Sequence, residues 1–486
     1  MKKYFYITIL SLLICSQAFG ANMYWKSSLA ELNAITGATN ADKGIVMDSN
    51  HAVTFYDHLG GAWAVAKSHG AEVDIRDGYG TLVAGAGAST AQRTANTATI
   101  NAAIVAARAS GVATCVVIPS MFTYYINGTI NLLDGVTLSG TSKWYGGLAT
   151  TDNIVMVSSD GLGYLHVENL ALTGPAIAGS VGIKVPSGGS RSYIANIYAR
   201  YFGSAIETWA DTLTIINPDI DNASTAAINI KTVGNAVNIY DPHLYNSATA
   251  IKSGQEGGCR GINVWGGVIQ GNTLGITGNA NTYSLSVNGT YFEGQVTQDI
   301  QYSGNRLFIN GGDFVSNSGT LTDHIYSDSP HTTIIAPHFK YSTEPSGHYV
   351  TTDSSAADAL IINPTWETTP TTNKKYSIAG ARSSITEGGV SYQSPVTFAD
   401  NATTPSVAGG TRFKTANTGS TTITNLLNGV LGQRVEIVFT DNVTTLQNNS
   451  ALFLAGATNF VATPNDMITL TYTDGIGWVE KGRSVN

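Results

Sequence analysis

From Val167 to about Thr368 the chain repeats one pattern of apolar and polar positions. Each unit opens on an apolar pair and passes through Asn, Asp, Gly or Ala. A short turn-prone stretch follows, then another apolar residue, as in Val167-Glu168-Asn169-Leu170-Ala171-Leu172 and Ile309-Asn310-Gly311-Gly312-Asp313-Phe314. The closing apolar residues are Leu172, Ala199, Ile220, Leu244, Ile269, Phe292, Phe314, Phe339 and Trp366, at gaps of 27, 21, 24, 25, 23, 22, 25 and 27. A period near 24 with loops of variable length suits a coil of three short strands and three turns. Leucine-rich repeats share that period but carry a dense Leu pattern that is absent here, and propeller blades need roughly 40 residues or more.

Upstream the period changes. Ile100, Ala103, Ile104 and Ala107 follow the i, i+3, i+4, i+7 spacing of one helix face. Asn96 is the expected N-cap and Gly111 the expected C′ residue. The run Thr114–Pro119 then reads as a buried strand containing Cys115. Tyr124–Ile130 and Gly135–Gly140 continue as short strands. One helix followed by closely spaced strands suits a capped solenoid, whose first coil would otherwise expose an apolar end. The expected fold is therefore all-β: a single-stranded right-handed parallel β-helix with an N-terminal capping helix and a small C-terminal β-domain.

The expected divisions are a signal peptide over 1–20, an N-terminal region over 21–90, the β-helix over 91–385, a Ser/Thr/Pro/Gly-rich linker over 386–410 and the β-domain over 411–486. In the last block, Arg412–Lys414, Thr422–Thr424, Val435–Phe439 and Met467–Tyr472 read as strands. The signal peptide rests on Lys2 and Lys3, an apolar stretch over Tyr6–Cys15 too short to span a bilayer, and the small residues of Ala18-Phe19-Gly20. The mature chain is thus expected to be secreted or displayed at the surface of a bacterium, or to be phage-related. It would contact no membrane once the signal is removed.

Composition supports the fold and narrows the partners. Charged residues make up 12% of the chain and glycine numbers 53, which suits short strands and tight turns better than helical surfaces. The net charge is −8 and no Lys/Arg cluster lies beyond the extreme N-terminus, which argues against nucleic acid as a partner. Cys115 is expected in the core and Cys259 in a Gly-rich turn, with stability coming from packing rather than from a bridge.

If the anchor residues point inward, their neighbours point outward, because strand side chains alternate. Ala171, Tyr198, Asp219, His243, Val268, Tyr291, Asp313, His338 and Thr365 precede the anchors. Thr173, Arg200, Asp221, Tyr245, Gln270, Glu293, Val315, Lys340 and Glu367 follow them. Stacked coils turn each set into a row with steps of roughly 4.8 Å. Such rows fit a groove for polysaccharide. Tyr198, Tyr245 and Tyr291 would cover sugar faces, with His243 and His338 in the same rows, and Arg200 and Lys340 would pair with uronate carboxylates.

Two carboxylate pairs are candidate catalytic groups: Asp219 with Asp221, and Glu293 with Asp313. Each is spaced within the loose range that inverting glycosidases use, about 6.5–9.5 Å between carboxyls. Lyase chemistry would instead need a base and a cation. Asp219 and Asp221 would then hold Ca²⁺, with His243, Arg200 or Lys340 as base. The competing reading is that a polar outer row is what any soluble β-helix must carry. The Asn row of Asn169, Asn196 and Asn217 reads as structural, and His69-Gly70 as incidental.

The segment from Thr94 to Gly140 resembles the pectate-lyase-like β-helix superfamily, the group containing pectate lyase 3 and rhamnogalacturonase/epimerase-like proteins. The resemblance lies in the helix at Ile100–Ala109, the strand Val116–Pro119, the Tyr-rich Tyr124–Ile130 and the coil Val136–Gly140. Gly477-Trp478-Val479-Glu480 and Arg483-Ser484 make the C-terminal block similar to modules of phage tail-spike-type proteins. These resemblances imply a carbohydrate-active protein, a polysaccharide lyase or glycoside hydrolase on a pectin-like or capsular polymer, working as a monomer or homotrimer. The alternative is a non-catalytic adhesion or tail-spike-like binding protein. The polygalacturonase signatures are missing; Asn217-Pro218-Asp219-Ile220-Asp221 is only a loose echo of one.

Overall fold

The computed structural model describes the backbone of residues 23–26, 43–47, 53–59, 62–65 and 72–74. It also describes residues 82–486 apart from 111–114, 120–121, 145, 160–163, 190, 233–235, 318–319, 354–357, 368–374, 379–382, 388–389, 394, 409, 430 and 474. The segment read as a signal peptide, Gly111 and the His69-Gly70 pair lie outside the described residues. Among the described residues, the fold is a right-handed parallel β-helix with one α-helix near its start and a small C-terminal β-sheet region.

The chain divides into two units, the first ending at Thr173 and the second starting at Gly174. In the first, helix α1 (Thr90–Ser110) buries Ile100, Ala103, Ile104 and Ala107 completely, as the spacing predicts. Its start differs from expectation. Ser89 accepts a hydrogen bond from Gln92 N at 3.3 Å while Gln92 Oε1 accepts one from Ser89 N at 2.7 Å. This reciprocal capping box sets the helix beginning seven residues before Asn96. Asn96 lies inside α1, fully buried, and its amide bonds Val83 N, Val83 O and Tyr125 O.

Glu72–Asp74, Cys115–Ile118, Thr137–Gly140 and His166–Glu168 pair in parallel succession. Tyr124–Ile130 is not one strand. Thr123–Tyr125 pairs with Gly147–Ala149, whereas Ile130–Leu132 pairs with Val155–Ser159, because Asn127-Gly128 turns the chain between them. Cys115 is half-buried rather than core, and both Cys115 and Cys259 are unbridged.

The second unit repeats one coil plan. A strand of the first sheet, such as Thr212–Ile216, runs into a two-residue corner, Asn217-Pro218. Asp219–Asp221 then lies in the second sheet and Ala226–Ile230 in the third. The next coil repeats this with Ala236–Tyr240, His243–Tyr245 and Thr249–Ser253, each pairing in parallel with its predecessor. The first corner residue takes positive φ throughout, for instance 47° at Asn217 and Asp241 and 48° at Asn363. Its amide bonds the coil that follows: Asn217 N to Tyr240 O at 2.8 Å, Asp241 N to Trp265 O at 2.8 Å. The corner amides are thereby satisfied although the chain changes direction there.

The inward residues form continuous stacks. Ile220, Leu244, Ile269, Phe292, Phe314 and Phe339 are all fully buried. Phe292 stacks on Phe314 at 5.0 Å with planes 4° apart, and Phe339 on Trp366 at 4.8 Å. A different inward position places Asp299 beside His324, both fully buried, with His324 Nδ1 2.5 Å from Asp299 Oδ2 and the Tyr349 ring 5.2 Å from the imidazole.

The segment read as a linker contributes strands. Val390–Gln393 pairs antiparallel with Ser384–Glu387, and Val396–Thr397 pairs with Arg412–Lys414. The C-terminal sheet continues through Arg434–Val438, Met467–Thr473 and Gly477–Ser484 over a core of Phe398, Phe413, Phe439, Leu470 and Trp478. The indole of Trp478 donates to Leu426 O at 2.9 Å.

Candidate functional site

The second sheet carries the candidate side chains in two outward rows. Tyr198, Asp219, His243, Val268, Tyr291, Asp313, His338 and Thr365 are register partners in that order. Arg200, Asp221, Tyr245, Gln270, Glu293, Val315 and Lys340 form the second row. The rows arise because every coil closes its second-sheet strand on an inward apolar residue, so the two flanking residues face outward.

The coil of Val268 and Gln270 splits the rows into two groups. In the earlier group Asp219 is outward by register yet only 3% exposed. The hydroxyl of Tyr245 donates to its carboxylate. Burial, followed by the charge of Asp219, pushes the Tyr245 phenol well above its ordinary value. Asp221 accepts from Asn246 Nδ2 at 3.0 Å. The Arg200 guanidinium lies 5.7 Å from the Tyr198 ring centre and 5.5 Å from that of Tyr201, and His243 Nε2 is 3.9 Å from Asp241 Oδ1.

Of the candidate pair Asp219 and Asp221, expected on the outer rows, Asp219 is thus covered. Among the described residues no group of three or more His, Cys, Asp or Glu side chains is placed to hold a metal ion.

The later group is open. Glu293 accepts from Gln270 Nε2 at 3.1 Å, from Asn317 Nδ2 at 2.7 Å and from the Tyr291 hydroxyl. Burial first, then the charge of Glu293, raises the Tyr291 phenol. His338 Nδ1 lies 2.8 Å from Asp313 Oδ1, with 39% and 52% of the two side chains exposed. Lys340 Nζ reaches Glu367 at 3.0 and 2.8 Å. Val315 is 5% exposed, so the second row is not a continuous polar strip.

The rows bring Tyr291, Asp313 and His338 onto consecutive coils, with Glu293 and Lys340 on the flanking row. Sequence reading missed Gln270's and Asn317's hold on Glu293. It also missed Tyr240 and Trp265, 40% and 45% exposed on the first sheet just before the corner. The signal for the aromatic pair was present: both precede a turn residue, Asp241 or Gly266. Asn169, Asn196 and Asn217 all take positive φ, and Asn217 Nδ2 donates to Asn196 Oδ1 at 3.0 Å, linking successive coils.

A further polar cluster lies on the third-sheet side. Trp209 Nε1 donates to Glu256 at 2.7 Å, and Lys231 lies 3.2 Å from Glu256 and 3.9 Å from Glu207. Burial raises the Glu207 carboxyl.

No protein-family model and no curated protein matches the chain. Three solved structures are similar to it at low identity. The catalytic unit of a GH87 α-1,3-glucanase from Streptomyces thermodiastaticus strain HF3-3 is 18% identical, with a TM-score of 0.33, over 65% of this chain and 69% of that one. The gp42 tailspike of Acinetobacter phage vb_AbaP_AS12 is 10% identical, TM-score 0.39, over 96% and 94%. The tailspike of Acinetobacter phage vB_ApiP_P1 is 10% identical, TM-score 0.41, over 95% and 91%.

Proposed function

We propose that this β-helix binds an acidic polysaccharide along the second sheet and cleaves it by β-elimination at the His338–Asp313 pair. The observation that carries the reading is the 2.8 Å contact between His338 Nδ1 and Asp313 Oδ1 on an open row. With Nδ1–H donating to Asp313, the imidazole is held in one orientation and Nε2 presents a lone pair. Nε2 takes the C5 proton of a uronate residue. The C5–H electron pair forms the C4=C5 double bond, the C4–O bond breaks, and the leaving oxygen takes a proton from the Tyr291 hydroxyl. Lys340, two residues along the same strand, exchanges Glu367 for the uronate carboxylate and offsets charge developing beside C5. Glu293 positions the Tyr291 hydroxyl.

A second reading is non-catalytic binding, as in an adhesion or tail-spike-like protein. It is favoured by the engagement of Glu293 with three donors and of Lys340 with Glu367, which suits a fixed recognition surface. Residues 1–20, with Lys2 and Lys3 ahead of an apolar run, support export to the cell surface or medium.

The deciding experiment incubates the protein with pectin-like and capsular polysaccharides. It follows the ultraviolet absorbance of the unsaturated uronate product alongside new reducing ends. Absorbance rising with reducing ends is expected. Reducing ends alone would move the chemistry to hydrolysis. Binding without either product would leave the recognition reading.

A further inference from the structure

Tyr240 and Trp265 are direct register partners on adjacent coils of the first sheet. Val237, Ile239 and Val264 point inward and are buried, so alternation leaves Tyr240 and Trp265 outward. Three positions along the chain, Tyr240 is followed by His243 and Trp265 by Val268, both members of the first row. That is about 10 Å of backbone at most. The aromatic pair therefore lies round one corner from the candidate site.

The corner itself changes character at this level. Asn217, Asp241, Ala336 and Asn363 hold its first position at positive φ, each with a side chain. Backbone conformation alone thus does not demand glycine there. Yet Gly266, Gly289 and Gly311 occupy it on the three coils between. Packing does not demand glycine either. A Cβ on Gly266 or Gly289 would meet nothing within 4 Å, and one on Gly311 would meet only the Cα of Gly289 at 4.0 Å. What these glycines leave is a strip without side chains between Trp265 and the outward Tyr291 and Asp313. In the same corner Thr290 is fully buried and its hydroxyl makes no hydrogen bond within the protein. It sits between Gly267 and Gly312, with Tyr291 N bonding Gly267 O and Asp313 N bonding Thr290 O.

We infer that Tyr240 and Trp265 form a stacking subsite for pyranose rings, and that the saccharide crosses the bare corner at Gly266, Gly289 and Gly311 to reach the His338–Asp313 row. A pyranose with largely equatorial hydroxyls presents a face of C–H groups. Such a face packs on exposed aromatic rings, which supply large contact area at low entropy cost. The ligand is thus an acidic polysaccharide that carries neighbouring sugars of this shape. The inference rests on the polysaccharide reading above.

The test uses Gly289→Asn and Gly311→Asn, since asparagine holds this corner conformation elsewhere in the chain, together with Trp265→Ala on an exposed residue. Oligogalacturonate and capsular oligosaccharides are titrated into each variant, with thermal melting recorded in parallel. We expect each variant to melt like the unaltered protein and to bind at least about tenfold more weakly, about 1.4 kcal/mol. Unaltered affinity in a folded Gly289→Asn or Trp265→Ala variant would overturn the subsite. If the Asn variants unfold, Trp265→Ala decides alone. If His338→Ala weakens binding while the corner variants do not, the corner route falls and the polysaccharide reading stands. If the unaltered protein binds none of these saccharides, both fall.

Discussion

Asp313 is half exposed, and its importance lies in one contact rather than in burial. Replacing it with Asn keeps the size but removes the charge and adds an NH2 donor, so the His338 tautomer is no longer fixed. Asp313→Asn should lower kcat for elimination by about 10²–10³-fold while leaving KM nearly unchanged, as expected when a general base loses its orientation. Initial rates of unsaturated-product formation measure this; an unchanged kcat would remove Asp313 from the mechanism. The two rows were legible in the sequence because parallel coils pair one to one and side chains alternate with a period of two. The burial of Asp219 and Val315 was not. Asp219 is covered from the neighbouring coil by Tyr245, and a period of two says which way a residue points, not what lies over it.

At the scale of elements, α1 shows how one cue can hide another. Asn96 and Ser89 are both residues that cap helices, and the apolar spacing begins only at Ile100. The cue that separates them is Gln92, three residues after Ser89, which closes the capping box. Asn96 instead ties α1 to Val83 and Tyr125. Ser89→Ala should cost about 1 kcal/mol. A urea titration followed by circular dichroism would show the midpoint shift, and no shift would mean the helix start is held by other contacts. The strands were read well where an apolar residue closed them, from Ala199 to Trp366. They were misread at Tyr124–Ile130, where a continuous apolar and aromatic run crosses a corner. Local sequence marks a turn there only through Asn127-Gly128.

At the scale of the molecule, the C-terminal sheet region is tied together by hydrogen-bonded carboxylates. Asp466 is held below its ordinary carboxyl value by the amides of Asn486 and Thr463, and by the Thr463 hydroxyl. For Asp441, burial alone would raise the carboxyl. Hydrogen bonds from Thr444, Thr415, Asn417 and Val443 outweigh that, and the net displacement is downward. Groups lowered in the fold stabilise it while ionised, above the ordinary value of 3.8. That stabilisation goes as pH falls through their folded-state values. The protection factors of the Arg434–Val438 amides, exchange corrected for the slower intrinsic rate in acid, should therefore fall below pH 3.8 relative to neutral pH. Asp466→Asn should blunt that fall, and protection factors indifferent to acid would discount these carboxylates.

The corner amides that bond each coil to the next also decide how such a chain can change over generations. A coil's strands pair only with those of its two neighbours, so duplicating or deleting one whole coil preserves the pairing plan. Duplication between Trp265 and Asp313 would carry the aromatic pair away from His338 by one step, about 4.8 Å. Neither site would lose a residue. The length of sugar chain gripped between them would become a heritable quantity, set by the number of coils.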